Sequence, residues 1–348
     1  MPSMATSWIT FRPFPLRFRC ERGRLMRAVV CRAYGPPEDL VVRELPDPVP
    51  GPGQLLVRVH AASVNFPDVL LIAGKYQIRI PVPFTPGSEL AGEVLTAGAG
   101  APFVPGQRVF GTTAVGAFAE RALLDASSAT LVPDDADLAS AAAFGVTYRT
   151  AYHALRSVGQ VSEGDWVVVL GAAGGVGLAA VDLVVAMGAR VLAAASSPEK
   201  LELCARRGAQ ATVDYDREDL KARIRELTGD SARVVIDPVG GRYSEPALRG
   251  LARGGMFVTL GYAAGTIPTI PLNLVLLKDI TLRGMEIRTF ASDHPAEANR
   301  DLGELAQLFG AGKIRPYIGA RFPLADTAAA LRYVSDRKVL GKVVIDVA

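Results

Sequence analysis

Apolar residues fall into two rhythms along this chain. Up to about residue 125 they come in short, partly alternating runs broken by turn residues. Gln54-Leu55-Leu56-Val57-Arg58-Val59-His60 is one such run, entered through the punctuated loop Pro46-Asp47-Pro48-Val49-Pro50-Gly51-Pro52-Gly53. Residues 89–95 and 107–111 continue the pattern. Half-buried strands between Gly/Pro turns read this way, so the sequence predicts a β-rich, barrel-like unit. From about residue 148 the apolar runs lose their alternation: 166–170, 190–194, 211–215, 234–237 and 256–261, with helical stretches between them. Strands buried on both faces and alternating with helices make βαβ units around a parallel sheet. Beyond residue 285 the pattern predicts a helix around 299–309 and a last strand over 342–347.

One junction carries more information than the rest. Val167-Val168-Val169-Leu170 runs into Gly171-Ala172-Ala173-Gly174-Gly175-Val176-Gly177 and then into a segment where Ala179, Ala180, Leu183, Val184 and Met187 share one helical face. In such a strand–turn–helix the glycines have separate tasks: one turns the backbone, one lets it approach a pyrophosphate, and one lets helix and strand pack closely. The helix N-terminus then offers free N–H groups to phosphate. Ala172 replaces the first glycine of the usual G-x-G-x-x-G, so the flanking strand and helix carry the reading; the alternative is an ordinary tight turn.

The end of the next strand bears on which nucleotide would bind. An acid there would hold ribose hydroxyls and repel a 2′-phosphate. The chain has Ala195-Ser196-Ser197-Pro198-Glu199-Lys200 instead. Two hydroxyls and an ammonium favour a 2′-phosphate, hence NADPH. The same letters also fit a capping box formed by Ser196 and Glu199, with Pro198 in the first turn.

Composition narrows the function. With 348 residues, 49% hydrophobic and 21% charged, the chain is long enough for about two globular domains and needs no staple. Its formal net charge of +3 is uneven: Arg12, Arg17, Arg19, Arg22 and Arg24 against Glu21 give residues 1–25 a local +4, leaving −1 for the rest. A body without basic excess argues against nucleic acid as the main partner. Cys20, Cys31 and Cys204 form no metal-ligand spacing or disulfide framework, which points to a reducing, cytoplasmic setting. The uncharged stretch 166–181 is too short for a membrane span and holds four glycines. Residues 1–25 read as an extension before a natural start at Met26: an upstream start, a disordered tail or an organelle signal. Pro13 and Pro15 oppose the amphipathic helix of a signal.

Together these residues resemble the medium-chain dehydrogenase/reductase superfamily, and within it the zinc-free quinone oxidoreductase (zeta-crystallin-like) family, over about residues 26–348. The segments that carry the likeness are Ala62-Ser63-Val64-Asn65-Phe66-Pro67-Asp68, Gly74-Lys75-Tyr76, Pro86-Gly87-Ser88-Glu89-Leu90-Ala91-Gly92, the glycine loop, and Gly341-Lys342-Val343-Val344. The resemblance implies an α/β protein. A GroES-like β-rich catalytic domain would be built from 26–147 and 286–348, and a Rossmann domain with a doubly wound parallel sheet would be inserted at 148–285. Zinc members of the superfamily place a cysteine where this chain has Asn65, and a histidine where it has Ser88. Three scattered cysteines and His60, His153 and His294 do not assemble a zinc site, and Glu89 is left with a structural role.

Without zinc to polarise a carbonyl, hydride transfer favours acceptors that are already electrophilic, such as quinones and conjugated enones. The resemblance puts Asn65 and Tyr76 near nicotinamide and substrate, as hydrogen-bond donor and as stacking or donor group. The alternatives are a turn residue and a packed loop aromatic. Leu70 replaces a tyrosine common in the family, which makes the pocket more apolar and leaves the proton donor open. To the glycine-loop contacts Gly171, Ala173, Gly174, Gly175, Val176 and Gly177 and the strand-end contacts Ser196, Ser197 and Lys200, the resemblance adds Thr147, Tyr215 and Arg337, and the loop of Gly261 and Tyr262 is expected to pass the nicotinamide. The expected protein is a homodimeric NADPH:quinone oxidoreductase acting on a small quinone or enone, with no membrane or nucleic-acid partner. The alternatives are an enoyl-thioester or 2-enone reductase on the same fold, and a non-catalytic NADPH-binding structural protein.

Overall fold

The computed structural model describes residues 24–347, so the reading of the N-terminal extension, Arg24 and Leu25 apart, and Cys20 lie outside the described residues. Six strands form a wholly parallel sheet in the order Ala211–Asp214, Arg190–Ala195, Trp166–Leu170, Ala232–Asp237, Met256–Thr259, Thr281–Gly284. Numbered along the chain this is 3-2-1-4-5-6, the doubly wound order whose switch point opens a ligand crevice at the C-terminal ends of the strands. The central strand Trp166–Leu170 is buried at every position, which is why its sequence is an unbroken apolar run.

Two elements differ from the sequence pattern. The sixth strand, Thr281–Gly284, is exposed along its whole length and so has no apolar run to betray it. The apolar stretch before it forms a helix, Leu272–Lys278, that buries Leu274 and leaves Leu272, Leu276 and Leu277 on the surface.

The second sheet runs Ile318–Pro323, Lys342–Asp346, Gln54–Val64, Glu89–Ala97, Arg108–Thr112, Ala129–Leu131, with Arg121–Asp125 also paired to Gln54–Val64. Leu25–Val30 and Val41–Pro46 form a separate antiparallel pair. The C-terminal strand Lys342–Asp346 lies antiparallel to Gln54–Val64, with Val343 opposite Val64. That register sets Lys342 beside the residue that follows Val64, which is Asn65.

The two sheets share a core. Ala61, Ala91 and Phe110 of one belong to the same buried cluster as Val167, Val169 and Ile236 of the other. The helix Gly145–His153 runs across the boundary expected after residue 147 and joins the halves. Phe144, just before it, stacks on Phe309 with ring centroids 4.4 Å apart. No helix among the described residues is long and apolar enough to cross a membrane.

Candidate active site

The glycine loop leaves the end of strand Trp166–Leu170 with Gly171 at φ 58°, a left-handed conformation that an L side chain resists. Gly177 lies in the first turn of the helix Gly175–Ala186; a methyl group on it would stand 2.2 Å from the Gly171 carbonyl oxygen. Helix and strand can approach this closely only with glycine there. The N-cap, Gly174, offers no side-chain cap, so the first N–H groups of the helix remain free to meet an anion. The loop is braced from the other sheet: Gly341 donates its N–H to the Ala173 carbonyl at 2.7 Å, and Gly174 and Gly341 form an isolated bridge.

At the end of the neighbouring strand, Lys200 Nζ donates to Ser196 Oγ at 2.9 Å and to the Arg337 carbonyl at 3.0 Å. Arg337 is held at φ 58° and donates to the Ala264 carbonyl at 2.7 Å, so its backbone and guanidinium tie the Gly261-to-Gly265 loop to Lys200. Tyr215 lies beside Ser196 and packs at a tilt against Tyr243 with centroids 4.1 Å apart. Burial, then Tyr243 and Asp216, pushes the Tyr215 phenol up to about 12. Burial also pulls the Lys200 ammonium below its usual value; Arg337 adds to this and Asp216 opposes it. Ser196, Lys200, Tyr215 and Arg337 therefore form one polar, positively charged corner. Tyr262 stands close to Gly240 and is 39% exposed, beside Gly261.

The capping box read between Ser196 and Glu199 does not form. The N-cap is Ser197, whose hydroxyl accepts from the Lys200 N–H at 3.4 Å. Pro198 occupies N1, where its fixed φ suits the first turn, and this places the cap one residue later. Ser197 is thus occupied by capping, while Ser196 is left to meet Lys200.

The third cluster lies where the sheets meet. Asn65 caps the helix Phe66–Ile72 in a capping box: the Asp68 carboxylate accepts its backbone N–H at 2.8 Å. The Asn65 side chain faces Glu89 and Lys342. Lys342 Nζ donates to Asn65 Oδ1 at 2.6 Å and to Glu89 Oε2 at 3.3 Å, and Asn65 Nδ2 donates to Glu89 Oε2 at 3.1 Å. An ammonium only donates and a carboxylate only accepts, so this arrangement fixes the amide orientation. Glu89 Oε1 also accepts the Val146 N–H at 2.7 Å, one residue before Thr147. A methyl group on Gly175 would meet Lys342 Cδ at 3.1 Å and Thr147 Cγ2 at 3.2 Å, so this cluster reaches the glycine loop. Tyr76 is held separately: Arg288 lies over its ring at 5.1 Å and donates to its hydroxyl at 3.1 Å.

Lys342 and the hub role of Glu89 went unread in the sequence. Lys342 was visible only as part of a family segment, and nothing in its spacing from Asn65, nearly the length of the chain, signals contact. Among the described residues, no three His, Cys, Asp or Glu side chains converge as a metal site.

The comparisons with known proteins agree with this geometry. The family described as alcohol dehydrogenase GroES-like domain matches residues 51–134, and that described as zinc-binding dehydrogenase matches residues 175–302. The chain is 38% identical over 327 residues to quinone oxidoreductase-like protein 2 of Bos taurus, covering 93% of each. A mycobacterial protein solved in complex with NADPH is 32% identical, with a TM-score of 0.86 over 92% of this chain and 100% of that one. Escherichia coli quinone oxidoreductase complexed with NADPH is 27% identical, with a TM-score of 0.86 over 92% of this chain and 100% of that one.

Proposed function

The chain belongs to the medium-chain dehydrogenase/reductase superfamily, quinone oxidoreductase type, and from that premise we propose that it is an NADPH-dependent, zinc-independent reductase of quinones or related conjugated carbonyl compounds. The observation that carries this reading is Lys342: one side chain touches both Asn65 and the surroundings of Gly175, so the glycine loop and the polar acceptor group share a wall.

The residues fit the dinucleotide. The free N–H groups at Gly175, Val176 and Gly177 suit the pyrophosphate, with Thr147 beside them. Ser196, Lys200, Tyr215 and Arg337 suit the 2′-phosphate, with charge-assisted bonds from Lys200 and Arg337. Gly261 and Tyr262 border the same crevice. When bound, the reduced nicotinamide supplies a hydride.

The protein's part is orientation and electrostatics. Glu89 takes one Nδ2 proton of Asn65 and Lys342 takes Oδ1, which leaves the second Nδ2 proton for the acceptor oxygen. That bond strengthens as negative charge grows on the oxygen. To Tyr76, braced by Arg288, we assign the stacking or donor contact with the acceptor. A quinone spreads its charge and takes its protons from water, so no dedicated acid is required.

The test is NADPH oxidation by a quinone, a simple enone and an enoyl-CoA, side by side. Fastest turnover on the quinone or enone supports the reading. Fastest turnover on the thioester transfers it to enoyl reduction, and tight NADPH binding without turnover on any of them leaves only a binding protein.

A further inference from the structure

At the acceptor end of the cleft the acids are paired. Glu89 is matched by Lys342 and Glu286 by Arg288. Arg149 has no such match. It lies on the helix Gly145–His153, about one turn after Val146, whose N–H is held by Glu89, and one turn before His153. The His153 ring packs on Phe290 with centroids 4.4 Å apart. Phe290 and Arg288 share the helix Ile287–Asp293, and Arg288 is the residue that braces Tyr76. Arg149 therefore stands between the Asn65–Glu89–Lys342 cluster and the helix that holds Tyr76, at the acceptor end of the cleft.

Its Nε is shut off from solvent and has no acceptor among the described residues. Glu89 attracts it across space, yet the Glu89 oxygens are already engaged by Val146, Asn65 and Lys342. Asp301, the acid beside His153, is engaged by His153, Ser157 and Arg300. A buried guanidinium N–H with no acceptor is costly, and a part-buried cation with no acid in contact is open to an anionic partner. The planar fork of a guanidinium matches a carboxylate, which would return the missing bonds and the missing charge together.

We infer that Arg149 is the specificity determinant for an acceptor that carries a carboxylate on its conjugated carbonyl frame. The inference rests on the reductase reading and narrows its substrate class. A neutral quinone leaves the guanidinium unpaired. A CoA thioester carries its phosphates many bonds from the reacting carbon, too far to serve a cation inside the cleft.

The test is calorimetric titration of the full-length protein, loaded with NADP⁺, using naphthoate and the uncharged naphthamide of the same shape. Naphthoate should bind about tenfold tighter or more, the scale of one charge-assisted hydrogen bond. Arg149→Met should abolish that preference, leave naphthamide binding unchanged, and raise the thermal midpoint, because a buried N–H without an acceptor has gone. Equal binding of the two probes by the wild type overturns the inference. So does a preference that survives in Arg149→Met, or a lower midpoint, which would mean that the guanidinium has a structural partner. NADPH turnover with a neutral naphthoquinone, measured alongside, separates the two claims. Turnover without carboxylate preference removes the role of Arg149 alone, and preference without turnover on any acceptor removes the reductase reading alone.

Discussion

The Lys342 ammonium lies 2.6 Å from Asn65 Oδ1, joining residues 277 positions apart in the chain. Both side chains are buried, and Lys342 completes its contacts with Glu89 at 3.3 Å and the Val64 carbonyl at 3.5 Å. If this contact aims the Asn65 amide, losing the amide should cost turnover and not cofactor binding. Asn65→Ala is expected to lower kcat by roughly 1–3 kcal/mol in barrier terms, less on quinones than on enones, with the NADPH Kd unchanged. Lys342→Arg should retain more turnover than Lys342→Met, which strips the partner from buried Glu89. Single-turnover rates with NADPH deuterated at C4 make the check: full turnover with an unchanged isotope effect in Asn65→Ala means that Asn65 only packs.

Lys200 offers the sharpest test of cofactor choice. Its ammonium holds Ser196 and the Arg337 carbonyl, and the corner around it carries Arg337 and Tyr215 but no acid in contact with the ammonium. Lys200→Ala should weaken NADPH by about 1–3 kcal/mol and leave NADH nearly untouched. Equal losses for the two cofactors in equilibrium titrations would mean that Lys200 serves the loop and not the phosphate.

The parallel sheet was legible because its strands are buried on both faces: Val167, Val168 and Val169 could not be read otherwise. Thr281–Gly284 was not, because an exposed edge strand has no apolar pattern to show. Local chemistry misled at Ser196, where two adjacent serines each fit a cap and only the position of Pro198 decides between them. In the corner, Ser196 and Lys200 could be named from the strand end that lacks an acid, and Tyr215 and Arg337 from resemblance. Arg149 and Lys342 could not, because their meaning lies in what surrounds them across the fold. One is a cation with nothing opposite it, and the other a cation shared between two sheets.

Asp68 gives a pH signature. Burial pushes its carboxyl from its ordinary range up to about 7, against hydrogen bonds from Asn65 and Ser88 and the pull of Lys342. A carboxyl raised in the fold favours the folded state while protonated. The stability it contributes is full below the ordinary carboxylate pKa and is lost as pH rises through about 7. Asp68→Asn keeps one acceptor for the Asn65 N–H and can donate its NH2 to the Ser88 hydroxyl, without the ionisation. It should therefore be stabilising at pH about 8, on the order of a few kcal/mol at most, and close to neutral at pH about 4. Thermal melts of both proteins across that range decide it; a pH-independent difference would show that Asp68 is not the titrating group.

Metal dependence is predicted to be nil. Asn65 and Ser88 stand where zinc relatives carry ligands, and here Asn65 is committed to Lys342 and Glu89 while Ser88 donates to Asp68 at 3.2 Å. Elemental analysis should find no stoichiometric zinc, and turnover should survive chelators. One zinc per chain with chelator-sensitive turnover would reverse this.

Assembly is the last expectation. Thr281–Gly284 is the outermost strand of the parallel sheet, paired only with Met256–Thr259, and its outer edge presents unpaired backbone groups. Directly before it the helix Leu272–Lys278 exposes Leu272, Leu276 and Leu277 at 75%, 79% and 66%, with Ile267 nearby in sequence at 70%. An open edge flanked by apolar side chains is the kind of surface that a second copy covers, since a twofold axis through such an edge pairs strand with strand and patch with patch. The protein should therefore sediment at micromolar concentration as twice the 36.7 kDa of one chain. Leu276→Lys with Leu277→Lys should give a monomer that still binds NADPH, because neither residue belongs to the cofactor corner. A wild-type monomer under those conditions refutes the edge-to-edge dimer, and the exposed leucines would then need another cover.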